Sequence, residues 1–443
     1  MTTLAVAESL NIDGDEPTAG NYFISVYPPF SVWTKNELPL FESALNSAVS
    51  PTPLGIYVHI PFCQKKCDYC YYLSYVGEKA EMVDRYLAAV VSEARLYADT
   101  EGLAGRSVSF AYFGGGTPSS LKTEQVSFLI KKLRSVLDWS SIEEITFEVA
   151  PRSVRPEFLR ALRELGVTRI SMGVQSFSDR LLKLNGRIHL TQDVLNAYGR
   201  IRDAGFEYVN LDLMCGLIGE TAKEWRETVR QAIALGPESI TIYQTEMPHN
   251  TQLFRDWRAN RLAALPLTWE MKRMRLLYGF HAVEKAGYTV VSGYTAVKNP
   301  LAHRFRYQTD LWHGADMLGL GVASFGYFQQ NHVQNVTTLD EYLAKVEGGK
   351  FPWQRGYHLD GWDALVREFT LQLKLGEVNR NYFYEKFGIN VYEAFDRPLE
   401  QMMTDGYAVA CDAGVRLTRA GLLRVDRLLS YFYPSIFRNV RYT

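Results

Sequence analysis

The chain has no excess of charge of either sign. Its 443 residues carry 48 Lys and Arg against 49 Asp and Glu, a formal net charge of −1. That balance gives no bulk attraction to nucleic acid or to an anionic membrane. Long apolar runs are also missing: no stretch reaches about 18 apolar residues, so no membrane-spanning helix is expected. Residues 1–20 lack a basic region followed by an apolar one, which argues against a signal peptide. Their acidic, Gly- and Thr-containing makeup reads as a loose tail. Cysteine is scarce, and five in a chain of this length cannot build a disulfide scaffold. Three of them fall within eight residues, which points to a metal site in a reducing compartment, the cytoplasm. Cys215 and Cys411 each stand alone and read as buried hydrophobes rather than ligands.

What is present suits a large α/β protein. An apolar share of 47% is ample for a buried core, and the length allows one large domain with one or two smaller ones. Short β-branched or aromatic runs recur at 55–60, 108–113, 144–149, 169–174, 208–213 and 239–243. Helical stretches lie between them at 80–98, 123–137, 156–165, 191–204 and 221–235. Pro156 and Thr191 are good helix starts, and Gly166 and Gly205 are good stops. Strands alternating with helices imply parallel strands joined by right-handed crossovers. Six units predict an open, partial barrel. After Pro248 the pattern is less regular; residues 289–292 are a further candidate strand, and Gly319 to Val322 reads as a tight backbone passage. Beyond Gly361, helices at 362–375, 382–387, 391–405 and 419–432 surround a short strand at 415–418. This is a small helix-rich unit with a hairpin, of winged-helix type. Its mixed charge favours packing or a lid role over nucleic-acid binding. The predicted domains are an N-terminal extension at 1–50, a barrel with its closing segment at 51–330, and the C-terminal unit at 331–443.

The chemistry centres on Cys63-Gln-Lys-Lys-Cys67-Asp-Tyr-Cys70. Three thiolates at this spacing suit a 4Fe–4S cluster, each sulfur taking one iron and leaving a fourth iron open to chelate a small molecule. The run follows the first predicted strand, at the strand end where barrel proteins build active sites. Zinc is the alternative, with nearby His59 completing a four-ligand set.

The C-x₃-C-x₂-C run resembles the hallmark of radical S-adenosylmethionine (SAM) enzymes. Its setting, Tyr57-Val-His-Ile-Pro-Phe-Cys63, looks like the branch of oxygen-independent coproporphyrinogen III dehydrogenase (HemN/HemW-like), which also holds heme chaperones and class C radical SAM methyltransferases. The resemblance covers roughly residues 54–326. It implies a partial (β/α)6 TIM-type radical SAM barrel with a small helix-rich C-terminal domain, and as cofactors a 4Fe–4S cluster and SAM. It also implies a reducing electron donor such as flavodoxin or ferredoxin.

The other strand ends carry residues that such a family uses. The resemblance gives Gly114, Gly115, Gly116 and Thr117 the amino group of SAM's methionine part; glycines let the backbone approach a ligand. It makes Glu148 a SAM contact, with a solvent-facing strand-end acid as the plain alternative. Gln175, Arg187 and Asp212 would line SAM sites, leaving room for a second SAM beside the cluster-bound one. An Arg187–Asp212 salt bridge is the structural alternative. Tyr57 would pack near SAM or simply be core, and Tyr69 would cover the adenine.

For the reaction, the coproporphyrinogen enzyme has a further cysteine two residues after the third ligand, where this chain has Tyr72. That departure, with the second-SAM residues retained, favours methyl or methylene transfer to an sp² carbon. Coproporphyrinogen oxidation and heme trafficking are the alternatives. An aromatic or tetrapyrrole-like substrate is expected. Residues 307–312, His313 and 319–325 are expected to face it, with His303 and His313 as candidate proton acceptors. The aromatic segment 21–33 either closes over the barrel mouth or is an ordinary packing strand.

Overall fold

The computed structural model describes residues 18–20 and 23–438. The tail expected at 1–20 lies, apart from 18–20, outside the described residues. The strands of the main sheet are numbered in chain order. Six of them follow the predicted runs: β1 (Leu54–Ile60), β2 (Val108–Gly115), β3 (Glu144–Val149), β4 (Arg169–Gln175), β5 (Tyr208–Cys215) and β6 (Ser239–Gln244). They pair in parallel and in sequence order. Leu54, Ile56, Val58 and Ile60 of β1 are buried on the face opposite Tyr57 and His59, which point into the barrel. Close pairing requires Gly55, because a Cβ there would sit 2.0 Å from the Phe110 ring.

The sheet extends beyond six strands. On one side follow β8 (Thr295–Val297), antiparallel to β6, and β7 (Thr289–Val290). On the other side β9 (Asp316–Leu320) lies parallel to β1, followed by antiparallel β10 (Phe325–Phe328), β11 (Asn331–Asn335) and β12 (Trp353–His358). The stretch expected to be only a tight passage thus contains a seventh parallel strand. It is tight as well: a Cβ on Gly319 would lie 2.2 Å from the Phe325 carbonyl oxygen. The sheet order β12-β11-β10-β9-β1-β2-β3-β4-β5-β6-β8-β7 leaves an open arc rather than a closed barrel.

Two buried polar groups fix β9 and its neighbours. Arg106 pairs with Asp316 at 2.7 Å, both nearly inaccessible, and also donates to the Thr52 carbonyl. Glu93, on the helix Ala80–Ala98, accepts from Gly321 N, Asn335 Nδ2 and Tyr342 Oη at 2.6–2.7 Å. Burial pushes its carboxyl up to about 7, against the pull of those hydrogen bonds.

The predicted boundary at residue 330 cuts the β10–β11 hairpin, since the main sheet continues to His358. The helical unit starts at the helix Gly361–Leu373. A three-stranded sheet of Glu377–Asn379, Gly414–Leu417 and Ala408–Cys411 forms its hairpin. The single helix expected at 391–405 is broken at Phe395, and that at 419–432 into short pieces. No helix among the described residues is long and apolar enough to cross a membrane.

Candidate active site

The carboxyl ends of the parallel strands open into one cavity of about 1030 Å³. Its floor is the barrel mouth. Phe23, Phe30 and Trp33 cover it from the N-terminal segment, and Leu422 to Arg427 from the C-terminal unit. The expected closing role of residues 23–33 is therefore present, while Asn21 and Tyr22 lie outside the described residues. Trp33 stacks on His332 with ring centroids 4.7 Å apart, and the His332 imidazole donates to the Tyr27 carbonyl.

Cys63, Cys67 and Cys70 are half-buried and line this cavity. A short parallel pairing of Phe62–Cys63 with Tyr75–Val76 closes the loop that carries them. A second tie runs to the loop after β4, where Asp68 N donates to the Asn185 carbonyl. Gly186 makes that approach possible: its φ is +77° and a Cβ would lie 2.7 Å from the Asp68 carboxylate. Thr117 Oγ1 lies 3.4 Å from Cys63 Sγ, and Arg187 Nη1 lies 3.2 Å from Cys67 Sγ. Burial raises the Cys63 thiol and pushes Cys70 up to about 11.

Among the described residues no three His, Cys, Asp or Glu side chains converge as a single metal ion requires. A cubane makes a different demand, since each thiolate takes its own iron. His59 is not available as a fourth ligand: Tyr57 Oη donates to its Nδ1 at 3.0 Å, and its Nε2 faces the Leu73 carbonyl at 3.3 Å. Burial lowers its pKa to about 4, so the ring is neutral.

The other predicted residues line the same cavity: Tyr57, Tyr69, Gly115, Gly116, Thr117, Glu148, Gln175, Arg187 and Asp212. Gly115 has φ +111° and no room for a Cβ beside His59; a Cβ on Gly116 would strike the Ile60 and Phe62 carbonyls. Glu148 faces the cavity rather than bulk solvent. It accepts from Tyr112 Oη at 2.6 Å and Gly115 N at 3.2 Å, and burial pushes it up to about 7. Arg187 and Asp212 do not pair. Arg187 Nη2 donates to the Gly173 carbonyl at 2.7 Å, and its buried Nε has no hydrogen-bond partner. Asp212 accepts from Ser171 and Asn210, and burial raises its pKa. Gln175 adopts φ +66° at a bulge between β4 and β5, beside Arg187. This donor set fits a cubane with a zwitterionic ligand: thiols for iron, a carboxylate for an ammonium, and a guanidinium for a carboxylate.

Several expectations need correction. Neither His303 nor His313 lines the cavity; Nδ1 of His313 is taken by the Thr309 carbonyl at 2.6 Å. Of residues 307–312 only Tyr307, Gln308, Leu311 and Trp312 face it, and of 319–325 only Ala323 and Phe325. Cys215 is buried as expected, but Cys411 is only half-buried, because the two-strand hairpin holding it has one open face. Sequence reasoning also missed Tyr112, which holds Glu148 and stacks among Tyr57 and Tyr307. The alternation of β2 put it on the barrel's inner face, and that was its only signal.

The profile of the Radical SAM superfamily matches residues 57–232. The heme chaperone HemW of Bacillus subtilis is 29% identical over 389 residues, covering 86% of this chain and 99% of that one. The oxygen-independent coproporphyrinogen III oxidase of Salmonella typhimurium is 29% identical over 405 residues, 88% of this chain and 87% of its own. The solved coproporphyrinogen III oxidase of Escherichia coli, a radical SAM enzyme, superposes with a TM-score of 0.81 at 25% identity, covering 94% of this chain and 97% of its own. These relatives lend no support to methyl transfer, the reaction that Tyr72 had favoured.

Proposed function

The chain belongs to the radical SAM family of heme chaperones and oxygen-independent coproporphyrinogen III oxidases, and on that premise we propose that it abstracts hydrogen from a propionate-bearing tetrapyrrole to decarboxylate it oxidatively. Its cofactors are a 4Fe–4S cluster and SAM. The bound cofactors would supply one electron and, from SAM, methionine and a 5′-deoxyadenosyl radical; loss of carbon dioxide from the substrate would return one electron, which a one-electron acceptor must take.

The observation that carries this reading is that the three cysteines and every expected SAM contact except Gly114 line one covered cavity. Cys63, Cys67 and Cys70 would hold the cluster. Gly115 and Gly116 would admit the methionine part, with Glu148 accepting its ammonium. Arg187 and Gln175 would take a carboxylate. Asp212, oriented by Ser171 and Asn210, would take a ribose hydroxyl or the ammonium of a second SAM. Phe30 and Trp33 would shield the radical from oxygen and from hydrogen-donating reductants in solvent. At about 1030 Å³ the cavity is at the upper end for a single small ligand, about 300–1,000 Å³, and leaves room for cofactor and substrate together. The same reading places the protein in the cytoplasm with a donor such as flavodoxin or ferredoxin.

Heme carriage is the second reading, favoured by the near full-length match to the Bacillus chaperone. Anaerobic incubation of the reconstituted protein with SAM, reductant and coproporphyrinogen III separates the two. Carbon dioxide, a vinyl product and 5′-deoxyadenosine support decarboxylation. Stable heme binding without SAM turnover supports carriage and overturns decarboxylation. S-adenosylhomocysteine formed with a methylated product would overturn both.

A further inference from the structure

Arg367 lies within the helix Gly361–Leu373, where every residue from Ala364 to Leu373 is buried. It is itself 2% exposed, yet it lines the cavity. Its guanidinium lies 3.7 Å from the Tyr327 ring centroid. Nη2 reaches the Leu311 carbonyl at a long 3.4 Å, and Nε and Nη1 have no hydrogen-bond partner among the described residues. A guanidinium presents five donors in a planar fork shaped for a carboxylate. Leaving most of them unmet in a buried place is costly, unless something that enters the cavity meets them.

Among the described residues no acid pairs with it. Glu368, the next residue, is held by Lys386 at 2.7 Å and by Tyr382. Asp316, near Tyr327, is held by Arg106 at 2.7 Å. Buried Lys374, by contrast, has Asp426 at 2.9 Å as well as the Ile24 carbonyl. The walls around Arg367 are aromatic. Tyr327, Trp312, Phe325 and Phe30 share its cavity, offering flat apolar surface beside the guanidinium.

We propose that Arg367 is the carboxylate anchor of the substrate site, binding one propionate of the tetrapyrrole by the unmet donors of its guanidinium while the macrocycle lies against these aromatic rings; this rests on the tetrapyrrole reading above. The other source of a carboxylate in the cavity is SAM. The residues that would hold it come from the cysteine loop and the ends of β2 to β5, whereas Arg367 comes from the C-terminal unit beside β10.

The test is a fluorescence titration of the reconstituted full-length protein with coproporphyrin III and, separately, its tetramethyl ester, with SAM affinity measured in parallel. Arg367→Leu is expected to weaken coproporphyrin III about tenfold or more, the size of a lost charge-assisted contact. The ester should bind wild type weakly and be unchanged by the substitution. Arg367→Lys, which keeps a charge but loses the fork, should fall between and reports the effect if the leucine variant unfolds. Unchanged coproporphyrin affinity in folded variants overturns the anchor alone and leaves the tetrapyrrole reading standing. Equal weakening of acid and ester assigns Arg367 to packing, and a loss confined to SAM assigns it to the cofactor; both overturn the anchor. Failure of wild type to bind either porphyrin overturns the anchor and the tetrapyrrole reading together.

Discussion

Arg187 bridges the cysteine loop and the barrel wall: Nη1 donates to the Cys67 sulfur at 3.2 Å and Nη2 to the Gly173 carbonyl at 2.7 Å. It is the group best placed to set a carboxylate beside the cysteines, because its Nε remains unpaired. Arg187→Met keeps much of the packing and removes the fork. Iron content per chain should stay at the wild-type level while SAM affinity, read by equilibrium dialysis, falls about tenfold or more. Wild-type affinity in this variant would remove Arg187 from the SAM site.

Glu148 gives a pH dependence with a definite sign. In the cofactor-free protein, burial holds its pKa at about 7, above the ordinary 4.5. Between those values the unfolded chain binds fewer protons than the folded one, so this group lowers stability as pH rises from 4.5 to 7. Glu93 and Glu220 are also pushed up to about 7 and add to the same slope, so stability alone does not isolate Glu148. SAM affinity does. An ammonium favours the ionised carboxylate, so binding should tighten as pH rises towards about 7 and level off above it. Glu148→Gln should bind more weakly, with the rise gone. An unchanged slope in that variant would place the titrating group elsewhere.

Trp33 tests the cover. It is 4% exposed, stacks on His332, meets the Phe325 ring edge-on at 5.7 Å, and donates from Nε1 to the Pro28 carbonyl at 3.2 Å. Trp33→Ala should lower unfolding stability in urea by about 3–5 kcal/mol. It should also raise the ratio of 5′-deoxyadenosine to tetrapyrrole product, as hydrogen-donating reductant from solvent reaches the cavity. A wild-type urea midpoint and ratio would make the segment a passive packing element.

The parts legible in the sequence were those with a local signature. The helix Ala80–Ala98 and the strand Glu144–Val149 match their predicted bounds, because a clean apolar period and sharp ends fix both. The cysteine spacing, the glycine run and the acids and amides at strand ends located the cavity for the same reason. What was illegible depends on partners far away in the chain. Asp316–Leu320 contains a glycine, is buried on both faces and has no polar alternation, so it reads as a passage until β1 lies beside it. The helix Trp269–Lys285 was overlooked because its apolar residues are spread around it; Gly279 lets it approach β6, a Cβ there falling 2.7 Å from Ile242. An Arg187–Asp212 salt bridge was the alternative that charge alone left open, but a backbone carbonyl and a thiol claim Arg187, while the Ser171 hydroxyl and the Asn210 amide claim Asp212. Arg367 gave one clue, a charged residue in a helix whose pattern has no solvent face.

The most direct measurement follows a hydrogen atom. Coproporphyrinogen III deuterated at the β-carbons of its propionates is incubated anaerobically with reconstituted protein, SAM and reductant, and the 5′-deoxyadenosine is analysed by mass spectrometry. Wild type should yield singly deuterated 5′-deoxyadenosine together with a vinyl product, and the Cys63→Ala, Cys67→Ala and Cys70→Ala variants should yield neither. Unlabelled 5′-deoxyadenosine from wild type, or labelled product from all three cysteine variants, would contradict hydrogen abstraction from a tetrapyrrole at this site.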